Sequence, residues 1–274
     1  MGVERISRVP CGPLRPFVRL VWAVEESDAP ARAQRHEHVL PTGAMHIVIR
    51  LGQDPLRLYA GPQDRTGTLA GDAMVGGARD TFYGRLVSGP QCSVGAQLRP
   101  GGGEALLGVP AAELAGRHTP LDDIWGAAVA AMRERLPELP LAERLDAFEA
   151  WLLARLPRVR AMHPAVAQLL SEFTVRGDVG RAIAGTGYSH RAMITLFRRS
   201  VGLAPKEYVR VLRFTRALAR MRAGHALADV ALAAGYSDQA HFAREFRAFA
   251  GATPSHYLRI APPDAHHLPV GSLP

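Results

Sequence analysis

Two patterns of hydrophobic and polar residues divide the chain near residue 120. Before this point the apolar residues occur in short runs, some of them alternating with polar residues, and Gly and Pro separate the runs. Such runs are typical of strands in an antiparallel sheet. We therefore expect a β sandwich or small barrel over residues 1–115. Its predicted strands are 18–26, 44–51, 56–61 and 92–100.

After residue 120 the apolar residues recur with the period of a helix, which predicts amphipathic helices at 121–136 and 141–156. The second helix presents an apolar stripe that can pack on the barrel or on a second subunit, and packing within the chain is favoured. The stripe consists of Leu141, Leu145, Phe148, Leu152 and Leu156. The predicted divisions are a front domain (1–156), a linker (157–164), a helical domain (165–260) and a tail (261–274).

The helical part contains an internal repeat. Residues 187–210 read GYSHRAMITLFRRSVGLAPKEYVR, and residues 235–259 read GYSDQAHFAREFRAFAGATPSHYLR. Matching residues are 48 apart at Gly-Tyr-Ser and 49 apart from the Phe onward, so one residue was gained or lost inside the repeat. Identities that continue in order after such a shift indicate a duplicated structural unit.

Each copy has the sequence signals of a helix, a turn and a second helix. Gly187 and Gly235 suit a chain that leaves a helix with positive φ, and the hydroxyls of Ser189 and Ser237 are expected to cap the next helix. Residues 205–224 contain no helix-breaking residue in their interior, which predicts a long helix between the two units. The sequence therefore predicts two helix-turn-helix units joined by a helix of about 25 Å.

Charge is distributed unevenly between the two halves. Residues 1–156 hold 17 Arg and 18 acidic residues, whereas residues 157–274 hold 16 basic and 7 acidic residues. The net positive charge of the chain, +8, therefore comes entirely from the second part. A basic half of this kind predicts a polyanionic partner. Arg, Gln, Thr and small apolar side chains on the second helix of each unit can contact base edges in a DNA major groove.

Residues 163–260 resemble the DNA-binding domain of AraC/XylS-type transcription regulators, most closely at ALAAGYSDQAHFAREFRAFAGATPSHY in the second unit. The resemblance implies seven helices and two helix-turn-helix units. It also implies base contacts from Arg191, Ile194, Thr195, Gln239, Ala240, Ala243 and Arg244. We expect phosphate contacts from Arg198, Arg210, Arg213 and Arg247.

The front domain is also similar to one often found ahead of this DNA-binding domain, on the segments HVLPTGAMHIVIRL and VGAQLRPGGGEALLGVPAAELAGRHTPLDDIWG. That resemblance implies a sensor or dimerisation module. Strand alternation gives His46 and Arg50 a shared face, and with Trp22 they form a candidate ligand pocket if that face points inward. The sequence does not determine the inward direction.

Metal chemistry is the main alternative for the front domain. His36, His38 and His46 suggest a cupin-like metal centre, but the Glu expected soon after the pair is replaced by Leu40-Pro41-Thr42. We predict no metal, no cofactor and no catalytic residues. Cys11 and Cys92 have no metal-ligand or disulfide spacing and are expected to be reduced thiols.

The sequence as a whole predicts a two-domain α+β protein, a cytoplasmic transcription regulator of the AraC type rather than an enzyme. Its expected partner is double-stranded DNA, with a small-molecule effector, RNA polymerase and a second copy of the chain as further candidates and no membrane. Two other functions stay open: a metal-dependent enzyme using His36 and His38, and a nonspecific DNA-coating protein whose helices carry only charge.

Overall fold

The computed structural model describes residues 2–27, 34–52, 54–61, 63–156, 162–175 and 178–271. The strands are β1 Gly2–Arg8, β2 Val18–Ser27, β3 Gln34–Val39, β4 His46–Arg50, β5 Leu56–Tyr59, β6 Thr68–Leu69, β7 Ala73–Gly76, β8 Tyr83–Ser88, β9 Cys92–Leu98, β10 His118–Pro120 and β11 His267–Val270. The helices are α1 Gly102–Leu107, α2 Ala111–Leu114, α3 Asp122–Trp125, α4 Ala128–Arg135, α5 Leu141–Leu153, α6 Pro164–Val175, α7 Val179–Ala184, α8 His190–Val201, α9 Pro205–Arg222, α10 Leu227–Ala234, α11 Gln239–Ala250 and α12 Pro254–Ile260.

Two antiparallel sheets face each other in the front domain, which confirms the predicted β sandwich. One sheet has the strand order β1-β2-β9-β4-β7-β10, and the other has the order β11-β3-β8-β5-β6. The four predicted strands are present as β2, β4, β5 and β9. The linker prediction falls mainly on residues 157–161, which lie outside the described residues.

Strand β4 shows which side of the first sheet points inward. Ile47 and Ile49 are fully buried in the large core beneath the helices, where each contributes about 1.5–3 kcal/mol. Val48, one position along, packs instead on the small apolar cluster between the sheets. Because successive side chains alternate across a strand, His46 shares the inward direction of Val48.

The helices after residue 120 cover the outer face of the first sheet. The predicted helix 121–136 is interrupted, because Gly126 takes a positive φ of 60° and separates α3 from α4. The apolar stripe of α5 is buried within the chain, with Phe148 and Leu152 fully inaccessible. This stripe therefore belongs to the core of the front domain.

Seven helices, α6 to α12, form the domain that follows, within the part of residues 162–271 that the structure describes. Pro205 and Pro254 open α9 and α12, and Gly202 and Gly251 close α8 and α11 with φ of 91° and 70°. These positions agree with the sequence signals for helix ends. One continuous hydrophobic core extends from the sheets into this domain.

The tail after α12 returns to the front domain and forms β11, an element that the sequence pattern does not predict. It pairs antiparallel with β3, at the edge of the second sheet. Further contacts hold the turn before it: the Tyr257 hydroxyl donates to the carbonyl of Ala265, and Arg222 donates to the carbonyls of Pro262 and Pro263. The last strand thus fastens the helical domain to the sandwich.

Candidate DNA interface and the interior of the sandwich

The second helix of the first unit, α8, has one buried and one exposed face. Its N-cap is Ser189, whose side chain accepts a hydrogen bond from the amide of Ala192, as the sequence predicts. Met193 and Phe197 are fully buried one turn apart. The opposite face is open to solvent and carries a shallow depression of about 510 Å³, lined by Ser189, Arg191, Ala192, Thr195, Leu196 and Arg199.

The second unit differs from the first at the start of α11. The helix is capped by Asp238, whose carboxylate accepts from the amide of His241 at 2.6 Å. The expectation of a Ser237 cap is therefore wrong: its hydroxyl donates to Asp238 and lies 3.0 Å from the Nδ1 of His241. Ser189 and Asp238 are 49 positions apart, which identifies Ser237 as the extra residue of the repeat.

Most of the predicted base-contacting side chains are exposed near the start of the two helices. Arg191, Thr195, Gln239, Ala240 and Arg244 are exposed, while Ile194 and Ala243 are half-buried. The hydroxyl of Thr195 donates to the carbonyl of Arg191 at 3.1 Å. Because this donor is used within the helix, Thr195 can contact a base through its methyl group and can accept hydrogen bonds through its hydroxyl oxygen.

The four arginines predicted to contact phosphates lie in different environments. Arg247 is exposed and, among the described residues, has no carboxylate within 4.0 Å, while Arg198 is exposed with Glu207 at 3.6 Å. Arg213 lies over the ring of Tyr236 at 5.3 Å.

Arg210 is engaged inside the domain. Its Nε and Nη2 donate to the Oε1 of Glu245 at 2.9 and 2.7 Å, and this pairing raises the pKa of Arg210. Glu245 is the acid on the otherwise basic exposed side of α11. In the structure its carboxylate joins α11 to α9, and the pair fixes the second recognition helix to the connecting helix.

The front domain contacts α8 and α11 at their C-terminal ends. Arg199 donates from Nε to the Oε1 of Glu104 at 3.0 Å. At α11, the carbonyl of Ala250 lies 3.0 Å from the Nδ1 of His38, and a Cβ on Gly251 would come within 2.6 Å of the same atom. Exposed Arg, Thr and Gln residues lie at the N-terminal ends, which no described residue of the front domain is shown to contact.

Inside the sandwich, the rings of Trp22 and His46 meet edge to face, with centroids 6.2 Å apart. The pKa of His46 is lowered to about 4 by burial and by the nearby charges of His266, His267 and Arg79. Arg50 is buried at the end of β4, where it donates to the carbonyl of Asp54 and lies 4.0 Å from Asp72. Trp22 and His46 are thus together in the interior, whereas the guanidinium of Arg50 is bound to its own loop.

Three interior residues were not identified from the sequence: Arg79, Tyr83 and His118. The guanidinium of Arg79 lies 4.4 Å from the centre of the Tyr83 ring, and that ring is 4.6 Å from His118 on the facing sheet. Burial, together with the Arg79 and His46 charges, lowers the pKa of His118 to about 3. Arg79 follows β7 in a loop, and no sequence motif marks it.

The histidines considered for a metal centre do not converge. His38 stacks on Phe82 and faces the helical domain, whereas His46 lies in the sandwich interior. His36 and His38 occupy alternate positions on one face of β3. Within the part of the chain that the structure describes, no group of three His, Cys, Asp or Glu side chains could hold a metal ion.

Comparison with known families matches both domains. Residues 183–260 match the model of a helix-turn-helix domain, and residues 7–120 match a domain of unknown function (DUF6597). A comparison with curated proteins gave no match. In the described residues, no helix has the length and apolar character needed to cross a bilayer.

Solved structures of ToxT from Vibrio cholerae are similar in overall layout. One shares 10% identity over 94% of this chain and 97% of that chain, with a TM-score of 0.45. ToxT of strain O395 shares 11% identity over 84% and 97%, with a TM-score of 0.44. Wild-type ToxT bound to an unsaturated fatty acid shares 11% over 93% and 94%, with a TM-score of 0.45. At these values the likeness assigns neither a ligand nor a DNA target to this chain.

Proposed function

From the premise that residues 183–260 form an AraC-type helix-turn-helix domain, we propose that this protein is a transcription regulator that reads DNA with α8 and α11. The observation that carries the proposal is the pair of exposed basic helix faces, each built on its own helix-turn-helix unit and each free at its N-terminal end. Such helices enter the major groove with their N-terminal residues towards the bases.

The connecting helix α9 joins the two helix-turn-helix units in one domain. Helix α9 has 18 residues, which corresponds to about 27 Å. Successive major-groove turns on one face are about 34 Å apart. The two reading helices belong to separate helix-turn-helix units, and α8 contacts α9 through Tyr208 whereas α11 contacts it through Arg210 and Phe214. We therefore propose that one chain contacts two base-pair boxes.

The base contacts differ between the two units. In α8 the readers are Arg191 and Thr195, with Ile194 offering an apolar contact to a thymine methyl. In α11 the exposed guanidinium of Arg244 suits guanine and the amide of Gln239 suits adenine. Ala240 and Ala243 complete that face as small apolar contacts.

We assign phosphate contacts to Arg198 and Arg247, which are exposed, and to Arg213 at the side of the second unit. Arg210 contributes by holding Glu245, so its loss would displace α11 and leave a half-buried carboxylate unpaired. Phosphate contacts set the register of the protein on the duplex, and base contacts then supply specificity.

The front domain is proposed as the sensor, with an effector bound beside Trp22 and His46 in the sandwich interior. It touches the C-terminal ends of both reading helices, so a change in the sandwich can alter the relative placement of the helices. We place the regulator in the cytoplasm, where DNA-bound protein would contact RNA polymerase. A second copy of the chain would use a surface other than the buried stripe of α5.

Matched variants of α11 test the proposed DNA contacts. On a DNA site selected by the protein itself, Arg244→Ala should cost about 1–3 kcal/mol and relax the preference at one base position. Arg247→Ala should weaken all sequences equally and lower the salt slope by about one. The measurement is fluorescence anisotropy over a salt series, on the site and on single-base variants of it.

Two results would reject these roles. If Arg244→Ala leaves the base preference unchanged, that residue does not read a base. If the wild type itself has a steep salt slope and no preference, the protein is a nonspecific DNA-coating protein.

A further inference from the structure

Arg199 extends the exposed face of α8 that carries the proposed base contacts. The shallow depression on this face is lined by Arg191, Thr195 and Arg199, which are spaced four residues apart and therefore lie in one row along the helix. The side chain of Arg199 is 61% exposed, so its guanidinium can be reached from solvent. Arg199 therefore belongs to the same surface as the reading residues.

The place of Arg199 along α8 suits a contact with a DNA phosphate. Arg199 follows Arg191 by eight residues, which corresponds to about 12 Å along a helix. The major groove of B-DNA is about 12 Å wide. When the N-terminal residues of α8 meet base edges, Arg199 therefore lies at the rim of the groove, where the phosphates are.

The front domain supplies an acid for this arginine. Glu104 in α1 accepts a hydrogen bond from the Nε of Arg199 at 3.0 Å. By contrast, Arg198 pairs with Glu207 of its own domain, and Arg191 has no carboxylate within 4.0 Å among the described residues. Within the described part of the chain, Arg199 is thus the arginine of α8 that an acid of the front domain neutralises.

Glu104 is held in place by the run of glycines at the start of α1. A Cβ on Gly102 would overlap the carbonyl oxygen of Phe17, and a Cβ on Gly103 would overlap the sulfur of Met45. The backbone of α1 therefore lies directly against the sandwich, and the two leucines at the end of this helix are buried. Because this packing fixes α1, Glu104 moves with the front domain rather than with α8.

We propose that Glu104 masks Arg199, a phosphate-contacting residue of α8, so that the front domain and DNA compete for one guanidinium. An exposed ion pair changes an equilibrium constant by about two- to fivefold, so DNA phosphates can displace the carboxylate. A movement of the front domain that withdraws Glu104 raises the affinity for DNA, and DNA binding favours that movement in return. This inference rests on the proposed DNA-reading function and names a contact through which the front domain limits it.

Four proteins test the competition: the wild type, Glu104→Gln, Arg199→Gln and the double variant. The measurement is fluorescence anisotropy of the full chain over a salt series, on a labelled duplex with the selected site and on a scrambled duplex of the same length. Glu104→Gln should bind both duplexes about two- to fivefold more tightly, because Arg199 no longer has to leave a carboxylate. This gain should vanish in the Arg199→Gln background. Adding Arg199→Gln to Glu104→Gln should also lower the salt slope by about one.

Glu113→Gln is the matched control. Glu113 is an exposed acid on α2, a helix that also packs on α8, and among the described residues it has no basic side chain within 4.0 Å. Its replacement removes the same charge from the front domain without freeing an arginine, so the affinity for DNA should stay at the wild-type value. The Tm of each variant should also stay close to that of the wild type, since an exposed ion pair adds little stability.

The inference is overturned if Glu104→Gln binds DNA no more tightly than the wild type, if the gain persists without Arg199, or if Glu113→Gln gives the same gain. These results leave the DNA-reading function intact as long as the wild type prefers the selected site to the scrambled duplex. Equal binding of both duplexes by the wild type would instead reject sequence reading. If no site is selected, the scrambled duplex alone carries the test, because a phosphate contact requires no particular sequence.

Discussion

The contact between the front domain and α11 is sensitive to a single methyl group at Gly251. This residue has φ of 70°, and a Cβ there would come within 2.6 Å of the His38 Nδ1 and 2.8 Å of the Phe82 Cζ. Gly187 in the first unit has φ of 75° with nothing within 4 Å of the same added atom. The two glycines therefore share the same backbone requirement and differ in their surroundings.

We predict that Gly251→Ala lowers the free energy of unfolding by about 2–5 kcal/mol and Gly187→Ala by about 1–2 kcal/mol. The left-handed conformation costs an alanine about 1–2 kcal/mol at either site. At Gly251 the displaced His38 ring also loses its hydrogen bond to Ala250 and its stacking on Phe82, which adds about 1–3 kcal/mol. Effects of Gly→Ala on the unfolded chain are common to both variants and cancel.

Urea unfolding followed by tryptophan fluorescence measures both losses. His38→Ala removes one of the two groups that the new methyl would meet, so in that background the excess loss from Gly251→Ala should shrink. Equal losses at Gly187 and Gly251 would refute the reasoning, since they would mean that the front domain does not press on the end of α11 in solution.

Two further predictions concern the cap and the interior histidines. Asp238→Ala should lower Tm more than Ser237→Ala does, because the Asp238 carboxylate accepts the amide of His241 in the first turn of α11. Equal shifts in Tm, measured by circular dichroism, would contradict this. The pKa values of His46 and His118, about 4 and 3, lie below the value of about 6.5 in the unfolded chain. The unfolded state then binds more protons, so stability should fall between pH 7 and pH 5, by about 2 kcal/mol per histidine. His118→Gln should flatten this dependence in urea titrations, and an unchanged slope would contradict it.

The helical domain was largely predictable from the sequence because its signals are local. Gly187, Gly235 and Ser189 act in the structure as their neighbours along the chain suggest. The N-cap of α11 could not be predicted in this way, because Ser237 and Asp238 are adjacent and both are good capping residues. The choice between them depends on where the first turn begins, and the helix register set by buried Phe242 and Phe246 determines it.

The front domain was less predictable because its strands depend on partners distant in sequence. Strand β3, with the sequence QRHEHV, has few apolar residues and forms between β8 and the tail strand β11. The tail itself has no strand pattern, since Pro269 lies within it. Arg79 shows the same limit: only the fold places its guanidinium over the ring of Tyr83.

The central claim, that one chain reads DNA with both units, is tested most directly by selecting sites from a random DNA pool with the purified protein at about 150 mM salt. The account predicts two enriched boxes about one helical turn apart, with Arg244→Ala blurring one box and Arg191→Ala blurring the other. A single enriched box that responds to only one of these variants, or no enrichment at all, would contradict it.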